Sequence, residues 1–550
     1  MKLILCPDAS ISELAGRGAH LAGAFAVPLP QLFPFRMTEP PSSAAQDDIF
    51  ELLANPATYA STGAVTEVKR HQTHAAVVFL AGGRAFKVKR AVRYPFLDFS
   101  TLAKRKAACE AELEINRKFA PQLYRRLVPI TRESDGTLAL GGAGEAVEWA
   151  VEMTCFDEDS TLDRLAERGE LTDNLISKLG PAVAAMHQRA ERIEAAPWIA
   201  ALEQFIRNNT SIFHQHRLVF PADQVETLEH QSLAALQRLS SLLRERGEQG
   251  LVRRGHGDLH LGNIAMLDGE PVAFDALEFD PLIASGDVLY DLAFLLMDLV
   301  DFDEVTAANQ VLNGYCTAAR RDADYDGIAA LPFFMSLRAA IRAMASASRL
   351  DVTKHTVTRS ALAYFALALK LLKPARPMII GIGGLSGTGK SSLARLLAPM
   401  LAPIPGALVL RSDVERKALY GVGEHDRLPE DGYRAEISAR VYQVLIDKAA
   451  RVARAGHSAI VDGVFAQSEE RTALSNAAAR AAVEFRGLFL VADLATRVQR
   501  IGVRAPDASD ADAEVARKQE AFATGAINWT CIDAAGSLMQ TLASARRTVV

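Results

Sequence analysis

Several features are scarce in this sequence of 550 residues. The cysteines are few, odd in number and scattered: Cys6, Cys109, Cys155, Cys316 and Cys531. None lies in a Cys-x-x-Cys pair, which argues against a disulfide framework or a cysteine-based zinc site and predicts reduced thiols. Apolar runs stay below the roughly 18 residues that cross a bilayer, and the run after Lys2 is too short for a signal peptide. We therefore expect a cytoplasmic protein without a membrane partner.

A strong charge of either sign is also lacking, since the formal net charge is -5. No dense block of lysine and arginine occurs, so nucleic acid is a poor candidate partner and a small molecule fits better. Apolar residues make up 49% of the chain and charged residues 23%, as in an ordinary globular protein. At this length one core is insufficient, which predicts two or three domains.

One motif present in full is a phosphate-binding loop, Gly-Leu-Ser-Gly-Thr-Gly-Lys-Ser, at residues 384–391. An apolar run precedes it and a helical pattern follows, so backbone N–H groups and the helix N-terminus are predicted to face the phosphates of a nucleoside triphosphate. Lys390 would reach the terminal phosphates, and the Ser391 hydroxyl would bind Mg²⁺. The predicted cofactor-binding residues here are Gly384, Gly387, Thr388, Gly389, Lys390, Ser391 and Ser392.

Two acidic residues end apolar runs downstream of this loop. Asp413 follows a predicted strand at 407–410, and Asp462 follows one at 458–461. In open α/β sheets ligands bind at the carboxyl ends of the strands, so Asp413 could orient an acceptor hydroxyl and Asp462 could assist Mg²⁺. Strands and helices alternate from residue 378 onward, which predicts an α/β doubly wound parallel sheet.

Three arginines lie at positions i, i+3 and i+7 of a predicted helix: Arg497, Arg500 and Arg504. Such a stripe can close over a transferring phosphoryl group and neutralise its charge, although a solvated helix face is the alternative. The segment 376–550 resembles small P-loop kinases of the nucleoside-kinase-like and zeta-toxin-like group. That resemblance implies that Asp413 is the substrate-side carboxylate and that Arg500 and Arg504 belong to the lid, with Arg416 as a further substrate contact.

A second constellation lies in residues 256–275, where Asp258, Asn263 and Asp275 follow one another. Phosphoryl transfer of the protein-kinase type uses a carboxylate near the substrate hydroxyl, and an amide and a carboxylate on Mg²⁺. His256-Gly-Asp258 with this spacing resembles the aminoglycoside phosphotransferase family. The resemblance implies a kinase-like fold over about residues 46–372, with Asp258 as base, Asn263 and Asp275 as metal ligands, and His256 supporting the loop.

The nucleotide lysine of such a fold lies on the third strand and pairs with a glutamate on the next helix. Lys87 and Lys89 share one face of the strand at 84–89, and we favour Lys87. Lysines that merely guard an edge strand are the alternative. The partner is Glu112, chosen from three nearby glutamates. No glycine occurs in residues 69–76, where a loop would cover the phosphates, so Thr73 or His74 could serve instead.

Further carboxylates begin an almost wholly apolar helical segment. Asp287 and Asp291 must find donors there, because an unpaired buried carboxylate costs several kcal/mol. One of them is predicted to brace the catalytic loop through its backbone, which is a structural role.

These observations divide the chain into an extension (1–45), a kinase-like domain (46–372), a linker (373–377) and a P-loop domain (378–550). The predicted fold class is an α+β protein-kinase-like two-lobed N-terminal domain plus an α/β doubly wound parallel-sheet P-loop C-terminal domain. In this order, the two resemble bacterial proteins in which an aminoglycoside-phosphotransferase-like domain precedes a P-loop kinase-like domain.

That resemblance implies a bifunctional enzyme that uses ATP and Mg²⁺ to phosphorylate hydroxyls of small polar molecules. Two alternatives stay open: one half is a non-catalytic nucleotide sensor, or the C-terminal half is a toxin-like kinase restrained by the N-terminal half.

Overall fold

The computed structural model describes residues 44–62, 65–73, 75–94, 97–278, 280, 282–347, 355–503, 507–522 and 524–549. The predicted extension therefore lies almost entirely outside the described residues. The chain divides into two compact units, one made of residues 1–158 and 273–280 and the other of residues 159–272 and 281–550. Each unit is described by itself.

The first unit contains an antiparallel sheet. Its elements are α1 (Ala44–Ala54), β1 (Val68–Gln72), β2 (Ala76–Ala81), β3 (Arg84–Lys89), β4 (Arg93–Tyr94), β5 (Leu97–Asp98), α2 (Leu102–Phe119), β6 (Tyr124–Arg132), β7 (Leu138–Leu140) and β8 (Glu145–Thr154). Within the described residues the sheet has the order β1-β2-β3-β8-β6-β7. Gly82 allows the tight turn between β2 and β3 because its φ is +61°. The predicted strand at 84–89 is confirmed, and the next helix, which carries Glu112, runs from residue 102 to 119.

The side-chain alternation of β3 separates an apolar face from a charged one. Phe86 and Val88 lie in an apolar core with Phe50 of α1 and Phe79 of β2. The intervening lysines, Lys87 and Lys89, are also buried. Because burying unpaired ammonium groups is costly, this face of the strand requires carboxylate partners.

The second unit begins with helices and short strands. These are α3 (Leu162–Glu167), α4 (Asp173–Arg189), α5 (Ala195–Gln215), α6 (Ala222–Glu248), β9 (Val252–Arg254), β10 (Ile264–Leu267), β11 (Glu270–Ala273), β12 (Ser285–Asp287), α7 (Val288–Asp301), α8 (Val305–Ala319), α9 (Asp322–Gly327), α10 (Leu331–Ala347) and α11 (His355–Leu371). Helix α7 is buried along almost its whole length, which explains why its sequence is apolar on nearly every side.

Among the described residues one helical run, Asp322–Ala347, is long and apolar enough to cross a membrane. Its most apolar window is 67% buried inside the structure, as in the core helix of a folded domain. The run is therefore weak evidence for a membrane span.

The same unit continues into a parallel sheet with helices. The elements are β13 (Met378–Gly383), α12 (Lys390–Leu397), β14 (Leu408–Arg411), α13 (Ser412–Leu419), α14 (Ala435–Arg454), β15 (Ala459–Asp462), α15 (Ser468–Arg480), β16 (Glu484–Val491), α16 (Leu494–Gly502), α17 (Ala513–Lys518), β17 (Thr530–Asp533) and α18 (Leu538–Val549). The strand order in the described residues is β14-β15-β13-β16-β17, with every pairing parallel. The doubly wound prediction is confirmed. The order places β13 between β15 and β16, so the phosphate loop leaves the middle of the sheet.

Helix α8 contacts the edge of this sheet. Asn313 Oδ1 accepts a hydrogen bond from Val409 N at 2.7 Å, and Asn313 Nδ2 donates to Ala407 O at 3.2 Å. Asn309 Nδ2 also donates to Ala407 O, at 3.0 Å. These amides satisfy backbone groups at the edge strand that have no neighbouring strand. The helical part and the P-loop part of the chain thus belong to one compact unit despite the linker at 373–377.

Candidate active sites

The phosphate loop has the backbone that its glycines predict. Gly384, Gly387 and Gly389 have φ of +137°, +86° and +93°, which residues with a side chain rarely adopt. A Cβ on Gly387 would also lie 2.6 Å from Arg497 O. The loop closes through the Thr388 hydroxyl, which donates to Leu385 O at 2.8 Å. Helix α12 begins at Lys390, so Ser391 and Ser392 occupy its first turn, where backbone N–H groups bind anions.

The side chains beside this loop fit a magnesium nucleotide. The Ser391 hydroxyl donates to Asp462 Oδ2 at 2.5 Å, which joins the two predicted metal-binding groups. Lys390 Nζ donates to Leu385 O at 3.2 Å, and desolvation lowers the pKa of this lysine. Desolvation and the nearby Asp462 raise the pKa of Asp413. A partly dehydrated cation with a hydroxyl and two carboxylates nearby is the donor set that polyphosphate and Mg²⁺ require.

One arginine at this site was not predicted from the sequence. Arg411, the last residue of β14, forms a two-pronged ion pair with Asp507 at 2.9 and 2.8 Å. Its guanidinium also lies 3.3 Å from Ser391 Oγ and 3.6 Å from Asp462 Oδ2. Its place two residues before Asp413, at the end of an apolar strand, is the signal that could have identified it.

The arginines predicted to form one stripe on α16 contact different parts of the structure. Arg497 is buried and pairs with Glu520, so the alternative of a solvated face is wrong for this residue. Arg500 donates to Ala534 O and Gly536 O, both at 2.7 Å, in the loop after the last strand. Arg504 lies outside the described residues, and the lid role of this pair stays a prediction.

Arg416, the further substrate contact that the resemblance implied, also forms hydrogen bonds within the protein. Its NH1 donates to Gly432 O at 2.7 Å and to Ser438 Oγ at 3.2 Å. Its guanidinium stacks 5.0 Å from the centre of the Tyr433 ring. These contacts connect α13 to α14 and to the segment before it, and a substrate contact stays a prediction.

In the first unit, Lys87 and Glu112 form the predicted pair, with Lys87 Nζ 2.7 Å from Glu112 Oε1. Lys87 also donates to Asp275 Oδ1 at 2.8 Å. The other glutamate oxygen lies 2.6 Å from Lys89 Nζ, and Lys89 pairs further with Glu278. Both lysines and Glu112 are almost fully buried, so the alternative of exposed edge lysines is wrong. Burial alone would raise the pKa of Glu112, but the two ammonium groups lower it to about 2.

Asp275 has the environment of a metal ligand. Its Oδ2 is buried and accepts no hydrogen bond from the described residues, so one oxygen is available to a cation. Its backbone has φ of +60°, and its N–H donates to the Tyr124 hydroxyl at 3.1 Å. Asn116 holds the next residue, accepting from Ala276 N at 2.8 Å and donating to Ala276 O at 3.3 Å. These contacts fix the position of the carboxylate.

The loop carrying Asp258 lies in the second unit. Asn263 Nδ2 donates to Asp258 O at 3.0 Å and to Asp258 Oδ2 at 3.2 Å, so two of the predicted residues are brought together. His260 Nδ1 accepts from Gly262 N at 3.1 Å, which gives this histidine a loop-tethering role. Its Nε2 lies 3.6 Å from Asp258 Oδ2. The Asp258 side chain is 7% exposed and thus held in a nearly closed environment.

Buried carboxylates of α7 brace that loop. Asp291 accepts hydrogen bonds from His256 N at 2.9 Å and Gly257 N at 3.0 Å, which confirms the predicted structural role for this residue. Asp287 instead caps α7 through Leu289 N. Asp298, which sequence reasoning missed, accepts from Leu261 N at 2.9 Å. Asp291 and Asp298 lie on α7 and Asp287 caps its N-terminus; all three are buried, so each had to find donors.

The glycine-free segment that should cover the phosphates begins as strand β1. Thr73 follows the strand, and its hydroxyl both donates to Ala76 O and accepts from Ala76 N at 3.0 Å. This threonine closes the β1–β2 turn. His74, the other candidate, lies outside the described residues.

The two parts of the chain define a class of protein. The model of the phosphotransferase enzyme family matches residues 77–331, and an AAA domain model matches residues 379–525. The chain therefore combines a kinase-like phosphotransferase domain with a P-loop domain, as its motifs predicted.

The combination is shared by uncharacterized proteins of Mycobacterium bovis and Mycobacterium tuberculosis. These are 32% identical to this chain over 479 residues, which is 84% of this chain and 92% of each relative. The chain belongs to their family.

Solved structures resemble each part. A choline/ethanolamine kinase family protein from Mesorhizobium loti is 13% identical and covers 60% of this chain and 99% of its own, with a TM-score of 0.35. A gluconokinase from Sinorhizobium meliloti is 20% identical and covers 32% and 95%, with a TM-score of 0.22. At these values neither likeness says anything about a substrate.

Proposed function

We propose that this protein is an ATP-dependent phosphotransferase that transfers the γ-phosphoryl group to a hydroxyl of a small polar molecule, and that both halves do so. The observation that carries the proposal is the P-loop site, where a glycine loop with positive φ angles, Lys390 and the Ser391–Asp462 pair converge at the carboxyl end of the sheet. A cytoplasmic setting agrees with the free thiols of Cys109, Cys155, Cys316 and Cys531.

In the P-loop half, Ser391 and Asp462 would hold Mg²⁺, which shields the charge of the phosphates. Lys390 is already stripped of most of its hydration, so its interaction with phosphate oxygens is strengthened. Asp413 would orient the acceptor hydroxyl and accept its proton. Its raised pKa moves the carboxylate toward the range in which proton acceptance is efficient.

In the kinase-like half, Lys87 would bind the phosphates, held in position by Glu112. Asp275 would bind the metal through its Oδ2 atom, and Asn263 would be a second ligand. Asp258 would accept the proton of the acceptor. Catalysis in both halves would come chiefly from positioning and charge neutralisation.

A second candidate function is that the kinase-like half senses nucleotide without turning it over. Two features favour it: the segment at 69–76 lacks glycine, and Lys87 is fully committed to Glu112 and Asp275. Nucleotide phosphates would have to compete with the carboxylates for this lysine.

One experiment tests both candidates. The full-length protein is incubated with ATP, Mg²⁺ and a pooled metabolite extract, and mass-shifted products are compared among wild type, Asp258→Asn and Lys390→Ala. Two product sets, one lost in each variant, would support two active halves. If Asp258→Asn leaves every product unchanged, the kinase-like half is a sensor. If wild type makes no phosphorylated product and splits no ATP, the proposal is wrong.

A further inference from the structure

A surface pocket of about 500 Å³ lies in the first unit, outside the residues used above for phosphoryl transfer. It is lined by Arg84, Arg117, Arg125, Arg126, Tyr124 and Glu152. These residues come from the start of β3, the end of α2, the start of β6 and the end of β8. The volume lies within the range of small-molecule sites.

The charge of the pocket is unbalanced. Four guanidinium groups face one carboxylate among the lining residues, which leaves an excess of three positive charges. The carboxylate is Glu152, whose side chain is only 2% exposed and which accepts from Arg126 Nε at 2.7 Å. Arg84 NH1 lies 3.1 Å from it and Arg125 NH1 3.9 Å. One buried carboxylate would be satisfied by a single arginine, so it does not account for the others.

The arginines remain accessible to a ligand. The side chains of Arg126 and Arg125 are 67% and 50% exposed. Arg117 is positioned by backbone carbonyls, donating from Nε to Tyr124 O at 3.3 Å and from NH2 to Arg125 O, and neither contact neutralises its charge. Guanidinium groups bind phosphate oxygens in pairs of parallel hydrogen bonds, and clustered like charges favour an anion.

We infer that this arginine pocket binds a small anion carrying two or more phosphate groups. A ligand of that kind matches the excess of three charges, and the pocket is large enough to hold it. A single phosphate would leave positive charge uncompensated, and a neutral ligand would not offset the mutual repulsion of the arginines.

The pocket also lies beside the supports of the predicted metal ligand. Tyr124 lines the pocket, and its hydroxyl accepts from Asp275 N at 3.1 Å. Asn116, the neighbour of the pocket residue Arg117, binds both backbone groups of Ala276. We therefore expect a ligand that orders the start of β6 to steady Asp275 and Ala276 as well, and to act as an effector, an assignment that rests on the proposed function of the kinase-like half.

The test uses full-length protein carrying Lys390→Ala, which weakens competing binding at the phosphate loop, in low salt with EDTA and no magnesium. Calorimetry measures the binding of inorganic tripolyphosphate. Adding Arg126→Gln is expected to weaken binding about tenfold or more, because one charge-assisted contact is lost. Adding Arg132→Gln is the matched control, since Arg132 is an exposed arginine of the same strand outside the pocket, and should leave the affinity unchanged. Equal affinities in the two variants would overturn the inference.

Folding and ligand source are tested in the same series. Arg126→Gln leaves Arg84 and Arg125 beside Glu152, so its unfolding temperature should match that of the control. Hydrogen exchange in residues 273–280 should slow with tripolyphosphate in the Arg132→Gln variant and less so in Arg126→Gln; equal slowing would refute the effector role.

Sedimentation with vesicles of phosphatidylglycerol and phosphatidylcholine distinguishes binding of a lipid headgroup from binding of a free anion. Vesicle binding without tripolyphosphate binding would overturn the small-molecule assignment.

Discussion

The two candidate active sites surround their phosphate-binding lysines with different partners. In the kinase-like half, Lys87 and Lys89 are enclosed by three carboxylates, Glu112, Asp275 and Glu278, so the charges are paired before any ligand arrives. In the P-loop half, Lys390 donates to a backbone carbonyl, and desolvation lowers its pKa. The first arrangement is a network of ion pairs. In the second, a glycine loop surrounds a lysine whose hydrogen-bond partner is a neutral carbonyl group instead of a carboxylate.

This difference indicates which interactions stabilise each site. Buried ion pairs contribute little net energy but are costly to break, because removing one partner leaves an uncompensated charge. A glycine cradle depends on local backbone geometry and on the neutral polar groups that hold its sheet. Four predictions test this contrast, in order of decreasing effect.

The largest effect is expected from Glu112→Gln, which removes the charge shared by Lys87 and Lys89. We expect the free energy of unfolding to fall by about 3–5 kcal/mol, measured by denaturant titration. Glu114→Gln is the matched control, because Glu114 lies on the same helix with its side chain 78% exposed, and should change stability by less than about 0.5 kcal/mol. A loss under about 1 kcal/mol in Glu112→Gln would show that the network is not what holds this face of the sheet.

Lys390→Ala should act on binding instead of folding. Loss of its charged contacts to phosphate is expected to weaken magnesium-nucleotide binding roughly tenfold to a hundredfold, with little change in unfolding temperature. Calorimetry with Mg²⁺ and ATP measures the affinity. Arg395→Ala, an exposed residue of the same helix, serves as control. Should Lys390→Ala unfold the protein as Glu112→Gln does, the contrast between the two sites fails.

The pH dependence of the two halves should differ. Desolvation lowers the pKa of His457 from 6.5 to about 4, and its neutral ring donates from Nε2 to Gly406 O at 2.8 Å. As pH falls below 6.5 the unfolded chain takes up this proton first, so stability is lost progressively down to pH 4, by about 3 kcal/mol in total. Glu112 contributes stability that is lost only from about pH 4.5 down to 2.

A comparison of denaturant midpoints at pH 7 and pH 5 measures the histidine effect. His457→Gln keeps a donor for Gly406 O and removes the titration, so its loss between these values should be smaller than that of wild type by about 2 kcal/mol. Identical losses would mean that His457 does not titrate as its burial implies.

The smallest effect is expected from Asn313→Ala, which removes the amide that satisfies the edge strand β14. The loss of its two hydrogen bonds to the edge strand, together with those to Asn309, should lower stability by about 1–2 kcal/mol. Asn313→Asp keeps the acceptor for Val409 N but turns a carboxylate oxygen toward Ala407 O and Asn309 O, so a loss at least as large as that of Asn313→Ala is expected by denaturant titration. A neutral result for both variants would show that water replaces the amide at this edge.

Much of the P-loop site could be read from the sequence because its parts are local. Gly384 to Ser391 form one loop, and Asp413 and Asp462 mark strand ends that a parallel sheet brings to one edge. Arg411 was missed because its ion pair partner, Asp507, lies 96 residues away. In the kinase-like half, the pairing of Glu112 with Lys87 was predicted, but its sharing with Lys89 and the role of Glu278 were not, because they depend on how one helix and one distant segment pack on the strand.

The sequence by itself determined the order of the two domains, the glycine loop and the periodicity that places lysines on one face of β3, since these follow from neighbours along the chain. Only the tertiary structure decided which carboxylates neutralise which cations, that the helical and P-loop parts form one unit with contacts such as those of Asn313, and that four arginines and one buried glutamate line one pocket. Each of these joins segments far apart in the chain, and the energy of a charge depends on the partners and burial that packing supplies.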